Sequence, residues 1–511
     1  MLVKLQSIAT YGLKPQLVDV EVNINKKGFP GFNIVGLANK SSLEAQERIK
    51  TAIQNSNLDF PTARITVNLA PADLPKEGSA FDLPIAIGII TATTELTPPP
   101  SSLFFGELSL DGTLRHTKGV FLLALLAKEL GLKNIFVPRL AANEAAVIDN
   151  INVYPVHSLQ DLVRHLNRSK VIQTLSHINP TTDISDLHPE FDFSEILGQL
   201  QAKRALEIAA AGSHNILLIG SPGAGKTMLS RALPGILPDL TEAESLEVTK
   251  IYSIAGLIPP GGSLVRLRPF QSPHHTASQV SLIGGSSIPH PGQVSLAHRG
   301  VLFLDEFPEF TRSCLEALRQ PLEDGLVTIS RASGSVTFPA QFMLVAAANP
   351  CPCGYLMDPK KDCHCTPHQI AYYQKKLSGP ILDRIDLHLN VPSVDVNKLM
   401  VDQPRNDGAD SSATIKARVI SARHIQTKRF KNFKNLHTNS DMKNKHIKLF
   451  ATLTPSANLL LKQAVNKYAL SARTYFRLIK VARTIADLVS CPEIADTHIA
   501  EALQYRIRAN D

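Results

Sequence analysis

Two periodicities and a few short all-apolar runs divide this chain into three blocks. Residues 18–24 read Val-Asp-Val-Glu-Val-Asn-Ile, apolar at every second position, which predicts a strand with one buried face. Residues 65–69, Ile-Thr-Val-Asn-Leu, repeat that alternation. Residues 42–53 space their apolar side chains along one helix face. Residues 120–130 form a strongly apolar helix that Gly131 closes. Residues 133–138 follow as a strand. Residues 1–167 are therefore read as a mixed α+β domain, and 168–190, polar with Pro180 and Pro189, as a linker. The second domain, 191–395, opens with an alanine-rich helix at 199–211. It carries short apolar strands at 215–219, which opens on Asn215, at 301–304 and at 343–348; the four consecutive apolar residues of 301–304 mark a central strand. Residues 396–412, with Pro404, Asn406, Asp407, Gly408 and Asp410, have linker composition. The third domain, 413–511, contains no glycine and reads as mostly helical.

Gly220, Ser221, Pro222, Gly223, Ala224, Gly225, Lys226 and Thr227 match the phosphate-binding loop G-x-x-x-x-G-K-[ST], set between an apolar strand and a helical segment. In that context the loop's backbone N–H groups face an anion. Lys226 is placed to reach the β/γ-phosphates and Thr227 a Mg²⁺ ion, so ATP is the expected ligand. The run at 301–304 delivers Asp305, suited to Mg²⁺, and Glu306, suited to polarise an attacking water as general base. The run at 343–348 ends in Asn349, an amide suited to orient that water or to contact the γ-phosphate. Arg384 stands between Asp383 and Asp386, where a local salt bridge to either acid is the simplest reading. Arg473 sits at a helix start that Ser471 is suited to cap, and by itself reads as a surface arginine.

This order of loop, Asp-Glu strand, strand-end Asn and two late arginines resembles the AAA+ ATPases. Gly198-Gln199, the run 208–215 and Gln271-Ser-Pro-His-His-Thr276 resemble their magnesium-chelatase-like branch, and the whole chain resembles its ComM/YifB group. The fold class this implies is α/β: a P-loop AAA+ core with a C-terminal helical lid. By the resemblance Asn349 is sensor 1 and Arg473 sensor 2. Arg384 becomes an arginine finger that completes a neighbour's site, which implies a ring, a homo-hexamer. Residues 256–299 resemble the helix-2 insert of this branch. Residues 325–339 resemble the hairpin before sensor 1, with a turn near Ser333 and Gly334. In related motors both elements face the ring's pore, where Arg331 is expected to contact a threaded strand. Residues 75–81 and 106–114 resemble the Lon-protease domain (S5 domain 2-like). Ala80 and Phe121, however, occupy the positions of its Ser–Lys dyad, and neither acts as nucleophile or base. Ser79 and Lys118 are the nearest stand-ins. The block is read as that fold without its chemistry.

Cys351, Cys353, Cys363 and Cys365 give C-x-C-x₉-C-x-C, a candidate structural Zn²⁺ site, with His364 an alternative ligand and free thiols the other reading. Between 416 and 448 there are ten Lys or Arg against one acid, Asp441, with Phe430 and Phe433 interleaved. Such a segment suits phosphates and unpaired bases, or forms a solvated basic face. The net charge of +8 is compatible with a polyanionic partner. No apolar run reaches the roughly 18 residues of a membrane span, and the first residues lack a secretory pattern, so a cytoplasmic, membrane-free protein is expected. The resulting expectation is a hexameric ATPase moving on single-stranded or branched DNA, which the resemblance connects to branch migration in natural transformation. The alternatives are a chelatase-type remodeller of a protein partner and, disfavoured by Ala80 and Phe121, an ATP-dependent protease.

Overall fold

The computed structural model describes all residues except 27–28, 38, 73, 75, 77, 179–189, 286–288, 332–333, 357, 359–360, 377–378, 394–410, 434–435 and 507–511. Most of the two expected linkers, and Ser333 of the expected turn, lie outside the described residues.

Alternating valines build the first sheet. β1 (Leu2–Tyr11) and β2 (Lys14–Asn25) pair antiparallel, and Val18, Val20, Val22 and Ile24 all point inward. β3 (Gly31–Val35), β4 (Arg64–Ala70), β5 (Ser102–Phe104), β8 (Asn134–Pro138) and β9 (Asn152–Val156) complete seven strands in the order β3-β4-β2-β1-β5-β8-β9. A separate short pair, β6 (Glu107–Leu108) and β7 (Leu114–Arg115), lies outside this sheet. The helix Asn39–Asn55 buries Ala45, Ile49, Ala52 and Ile53, the face its spacing predicts. The helix Asp82–Thr93 is buried from Asp82 to Thr91, which accounts for the longest apolar run as core rather than membrane. No described helix is long and apolar enough to cross a membrane. Phe121 is fully buried, and Ala80 packs against the same cluster. Ser79 hydrogen-bonds Glu107, whereas Lys118 lies against Gly256. Neither dyad position carries a nucleophile or a base.

The second sheet is parallel throughout: β11 (Phe270–Gln271), β12 (Val301–Leu304), β15 (Met343–Ala348), β10 (Ile216–Gly220) and β16 (Leu387–Val391), in that order. β11 alters the expectation for residues 256–299. They are not wholly an insert, because Phe270 and Gln271 pair with Val301 and Leu302 inside the core sheet. Two residues are too few to show a period. β13 (Leu326–Arg331) and β14 (Gly334–Pro339) form the expected hairpin, with Arg331 opposite Gly334. The last block is helical: Ser412–Phe430, Asn444–Phe450, Pro455–Tyr468, Ala472–Leu488 and Asp496–Gln504.

The first sheet's domain grips the second domain at two places. Tyr11 and Leu13 pack into the core beneath the β13–β14 hairpin. Gly12, at φ 61°, has no room for a side chain, since a Cβ would stand 2.2 Å from Val336 Cγ1. At the other place Ser253, on the helix Glu242–Ala255, donates to Glu144 at 2.8 Å, and Asn143 donates to Gly261 O at 2.7 Å. Burial pushes the Glu144 carboxyl up to about 7, against the opposing pull of the Ser253 hydrogen bond. A carboxyl whose folded pKa lies above its unfolded value stabilises the fold most below the unfolded pKa, and that contribution is lost as pH rises to about 7. Glu144→Gln should therefore match the parent near pH 4.5 and exceed it by about 2–3 kcal/mol at pH 8, read by chemical or thermal unfolding across that range.

Candidate functional site

Parallel strands end on the same side, so the loops after β10, β12 and β15 meet at one edge. That convergence assembles the site. Gly225, at φ 85°, turns the loop into the helix Lys226–Ala232, a conformation only glycine adopts freely. The Lys226 ammonium is folded back onto the loop, donating to Gly220 O at 2.6 Å, Ser221 O at 3.0 Å and Asn349 Oδ1 at 3.1 Å. Burial lowers its pKa, and the Asp305 charge opposes that shift. Thr227 Oγ1 donates to Asp305 Oδ2 at 2.8 Å. A hydroxyl and a carboxylate side by side form the hard oxygen donor set that Mg²⁺ prefers. Asp305 Oδ1 also accepts the Glu306 N–H at 2.9 Å, and Glu306 is held at φ 50°, outside the strand.

One partner was missed from sequence. His275 Nδ1 lies 2.9 Å from Glu306 Oε2, so the candidate base is held by a ring from the segment after β11. His275 was legible only as part of a motif; its pairing needs the fold, because β11 sets the segment beside β12. The same segment runs to Gly285, and a Cβ there would lie 3.5 Å from Arg331 Nη2 of the hairpin.

The two late arginines do not reach this edge. Arg384, mostly buried, ion-pairs with Glu323 and donates to Pro380 O at 2.5 Å. Its sequence neighbours are otherwise engaged, contrary to the expected local bridge: Asp386 takes His214 at 3.0 Å, and Asp383 faces Arg473 at 3.4 Å and Arg477 at 3.6 Å. Arg473 starts the helix Ala472–Leu488, and Ser471 caps it by accepting from Thr474 N at 3.2 Å.

The four cysteines converge. Their sulfurs lie within 4.8 Å of one another, with Cys351–Cys353 at 3.3 Å, Cys353–Cys363 at 3.6 Å and Cys351–Cys363 at 3.7 Å. Zn–S bonds of about 2.3 Å give a tetrahedron edge of about 3.8 Å, close to these separations and far from a disulfide's. His364 is not in the cluster.

The basic segment is corrected in one respect. Phe430 is buried, and both it and Phe433 pack edge-on against Phe450, so neither ring is free to stack on a base. Acids distant in sequence claim several cations: Lys416 pairs with Asp239, Arg418 with Glu207 and Arg429 with Asp487. Lys428, Lys431, Lys443, Lys445 and Lys448 are exposed, and Lys434 lies outside the described residues.

A phosphate loop on a parallel sheet, with Asp-Glu and Asn at adjacent strand ends and a helical lid, defines the class: an AAA+ ATPase. Comparison narrows it. Residues 192–399 match the family model "Magnesium chelatase, subunit ChlI", 20–141 that of "Subunit ChlI of Mg-chelatase" and 409–506 that of the ChlI C-terminal region. The chain is 43% identical to "Competence protein ComM" of Haemophilus influenzae, over 98% of this chain and 96% of the relative. It is 41% identical to YifB of Escherichia coli over the same shares. Likeness to the magnesium-chelatase 38 kDa subunit of Rhodobacter capsulatus is 26% over 34% of this chain and 55% of that one. The chain belongs to the ComM/YifB family of magnesium-chelatase-like AAA+ ATPases, and that family implies ATP and Mg²⁺ as its ligands.

Two substitutions should separate binding from turnover. Lys226→Ala is expected to lose ATP binding in a fluorescent-nucleotide titration. Glu306→Gln should bind ATP as the parent does, while phosphate release falls about 10²–10⁴-fold.

Proposed function

We propose that this ATPase is a ring motor acting on DNA, driving branch migration or unwinding as incoming single strands are integrated during natural transformation and recombination. The observation that carries the reading is a continuous path from the hairpin to the hydrolytic residues. The hairpin packs on the segment through Ile329 and Leu282, which share one buried cluster, and that segment's His275 holds Glu306. A strand gripped at the hairpin therefore has a mechanical route to the base. The competence name of the Haemophilus influenzae relative supports the process, and the five exposed lysines of the lid supply phosphate-binding charge.

In this reading Lys226 binds the β/γ-phosphates, and Thr227 and Asp305 hold Mg²⁺, which neutralises phosphate charge. Glu306, once free of His275, takes a proton from the attacking water while Asn349 orients it. Arg384 leaves Glu323 to complete a neighbouring subunit's site in a homo-hexamer, and Arg473 turns from Asp383 toward the nucleotide as the lid closes. The four cysteines hold Zn²⁺ as a structural ion, since four protein ligands leave no open position.

Hydrolysis should rise on adding single-stranded or branched DNA and lose that stimulation as salt increases. Arg384→Ala should keep nucleotide binding and lose about 10³-fold or more in stimulated turnover. If no DNA structure changes the rate, the motor reading fails, and remodelling of a protein partner takes its place. Arg331→Ala should leave basal hydrolysis intact while strand displacement falls at least tenfold; full displacement by this variant removes the hairpin from the path.

A further inference from the structure

The cysteine cluster is built against the nucleotide site. Cys351 follows Asn349 by two residues at the end of β15, and Asn349 accepts from Lys226 at 3.1 Å. The chain then turns, with Gly354 N donating to Cys351 O at 3.0 Å. Gly354 sits at φ 85°, so close to the phosphate loop that a Cβ would stand 2.6 Å from Pro222 Cδ and 3.8 Å from Asn349 Cγ. At the far end Cys365 leads into the helix Pro367–Lys376. That helix carries Tyr373, 6% exposed, and packs against the turn Phe307–Glu309. Its last residue, Lys376, pairs with Glu309 at 2.9 Å, just beyond the Asp305–Glu306 strand end.

The excursion from Asn349 to Lys376 thus leaves the site and returns beside the Asp305–Glu306 strand end. Between Cys351 and Thr366 its described residues form no helix or strand. A segment with so little backbone pairing keeps one shape only if something cross-links it. The four thiols join its two halves, with Lys361 over the Tyr355 ring at 4.8 Å as a weaker tie, and Cys351, fully buried, roots the cluster in the core.

We infer that this cluster is a metal-held brace for the phosphate loop: Zn²⁺ bound by Cys351, Cys353, Cys363 and Cys365 seats Gly354 against Pro222 and fixes Asn349 against Lys226, so that zinc occupancy sets how well the chain binds and hydrolyses ATP. The inference rests on the zinc reading given above and adds a consequence that a remote structural ion lacks. Ligand-positioning groups typically change affinity 10–100-fold when lost, which sets the scale of the effect.

The test uses the full-length protein. Zinc per chain is measured by elemental analysis, and affinity for a fluorescent ATP analogue and phosphate release are measured on the same samples with Mg²⁺ in excess. About one zinc per chain is expected. Stripping it with a zinc-selective chelator should weaken nucleotide binding about 10–100-fold, and added Zn²⁺ should restore it. Cys363→Ser should behave like the stripped protein. Gly354→Ala keeps all four thiols but puts a methyl group into Pro222 at a strained φ; it should retain zinc and remain folded at the assay temperature with a lowered melting point, yet bind nucleotide more weakly. If zinc is present but its removal leaves affinity and turnover untouched, the brace is overturned and the structural ion stands. If carefully prepared protein holds no zinc, the zinc reading fails and the brace with it. Should Cys363→Ser not fold, stripping and reloading the parent decides the matter.

Discussion

Asn215 is the residue on which the site's geometry depends. Its side-chain oxygen accepts the Leu344 N–H at 2.8 Å at the foot of β15, and its amide donates to Arg384 O at 2.9 Å just before β16. Its backbone carbonyl accepts from Asp386 and Leu387, each at 3.0 Å. One residue below the central strand therefore sets the register on both sides of it. In a parallel sheet, fixing the feet of the strands fixes their upper ends, where Lys226, Asp305 and Asn349 meet. The neighbouring His214, fully buried, extends the same anchor to the lid through Asp386 at 3.0 Å and Thr484 at 2.8 Å. Burial works against the charge on Asp386, yet the His214 hydrogen bond holds its pKa below the ordinary carboxylate value.

From that anchor, contacts run outward to every part that would move. Asp383 faces the lid's Arg473 and Arg477, while the adjacent Arg384 holds Glu323. The arginines expected at the nucleotide are thus parked on acids of their own chain. Only the Arg473–Asp383 pair is largely exposed, the kind worth little to stability, whereas Arg384 and Arg477 are mostly buried. The buried part of the lid is different. Arg429 and Arg483 share Asp487, and Asn439 and Thr484 complete the network. Removing Arg429, Arg483 or Asp487 there would leave buried charge unpaired, a costly change for the lid.

The first domain packs against the second at the hairpin and at the helix Glu242–Ala255. With Ala80 and Phe121 packed on one apolar cluster, its informative contacts are those made to the second domain. Tyr11 and Leu13 sit under the hairpin, and Glu144 meets the helix leading into the segment that carries His275. The hairpin and the helix before the His275 segment are therefore both packed against the same domain.

Much of this was legible along the chain. The alternation at 18–24, the all-apolar runs and the absence of glycine after residue 413 gave strands, central strands and a helical lid, because each pattern is local. The phosphate loop and the Asp-Glu and Asn strand ends were legible for the same reason: their chemistry lies in residue type and the strand before it. What the sequence could not carry was pairing across distance. Lys226 and Asn349 are 123 residues apart, and His275 reaches Glu306 only because a two-residue strand, too short for any period, places it there. Phe430 and Phe433 looked available among lysines until Phe450 covered them. Sequence alone determined which groups can act on a nucleotide; tertiary structure decided which of them meet, which are held back and what braces them, because those choices rest on strand order and packing between segments far apart in the chain.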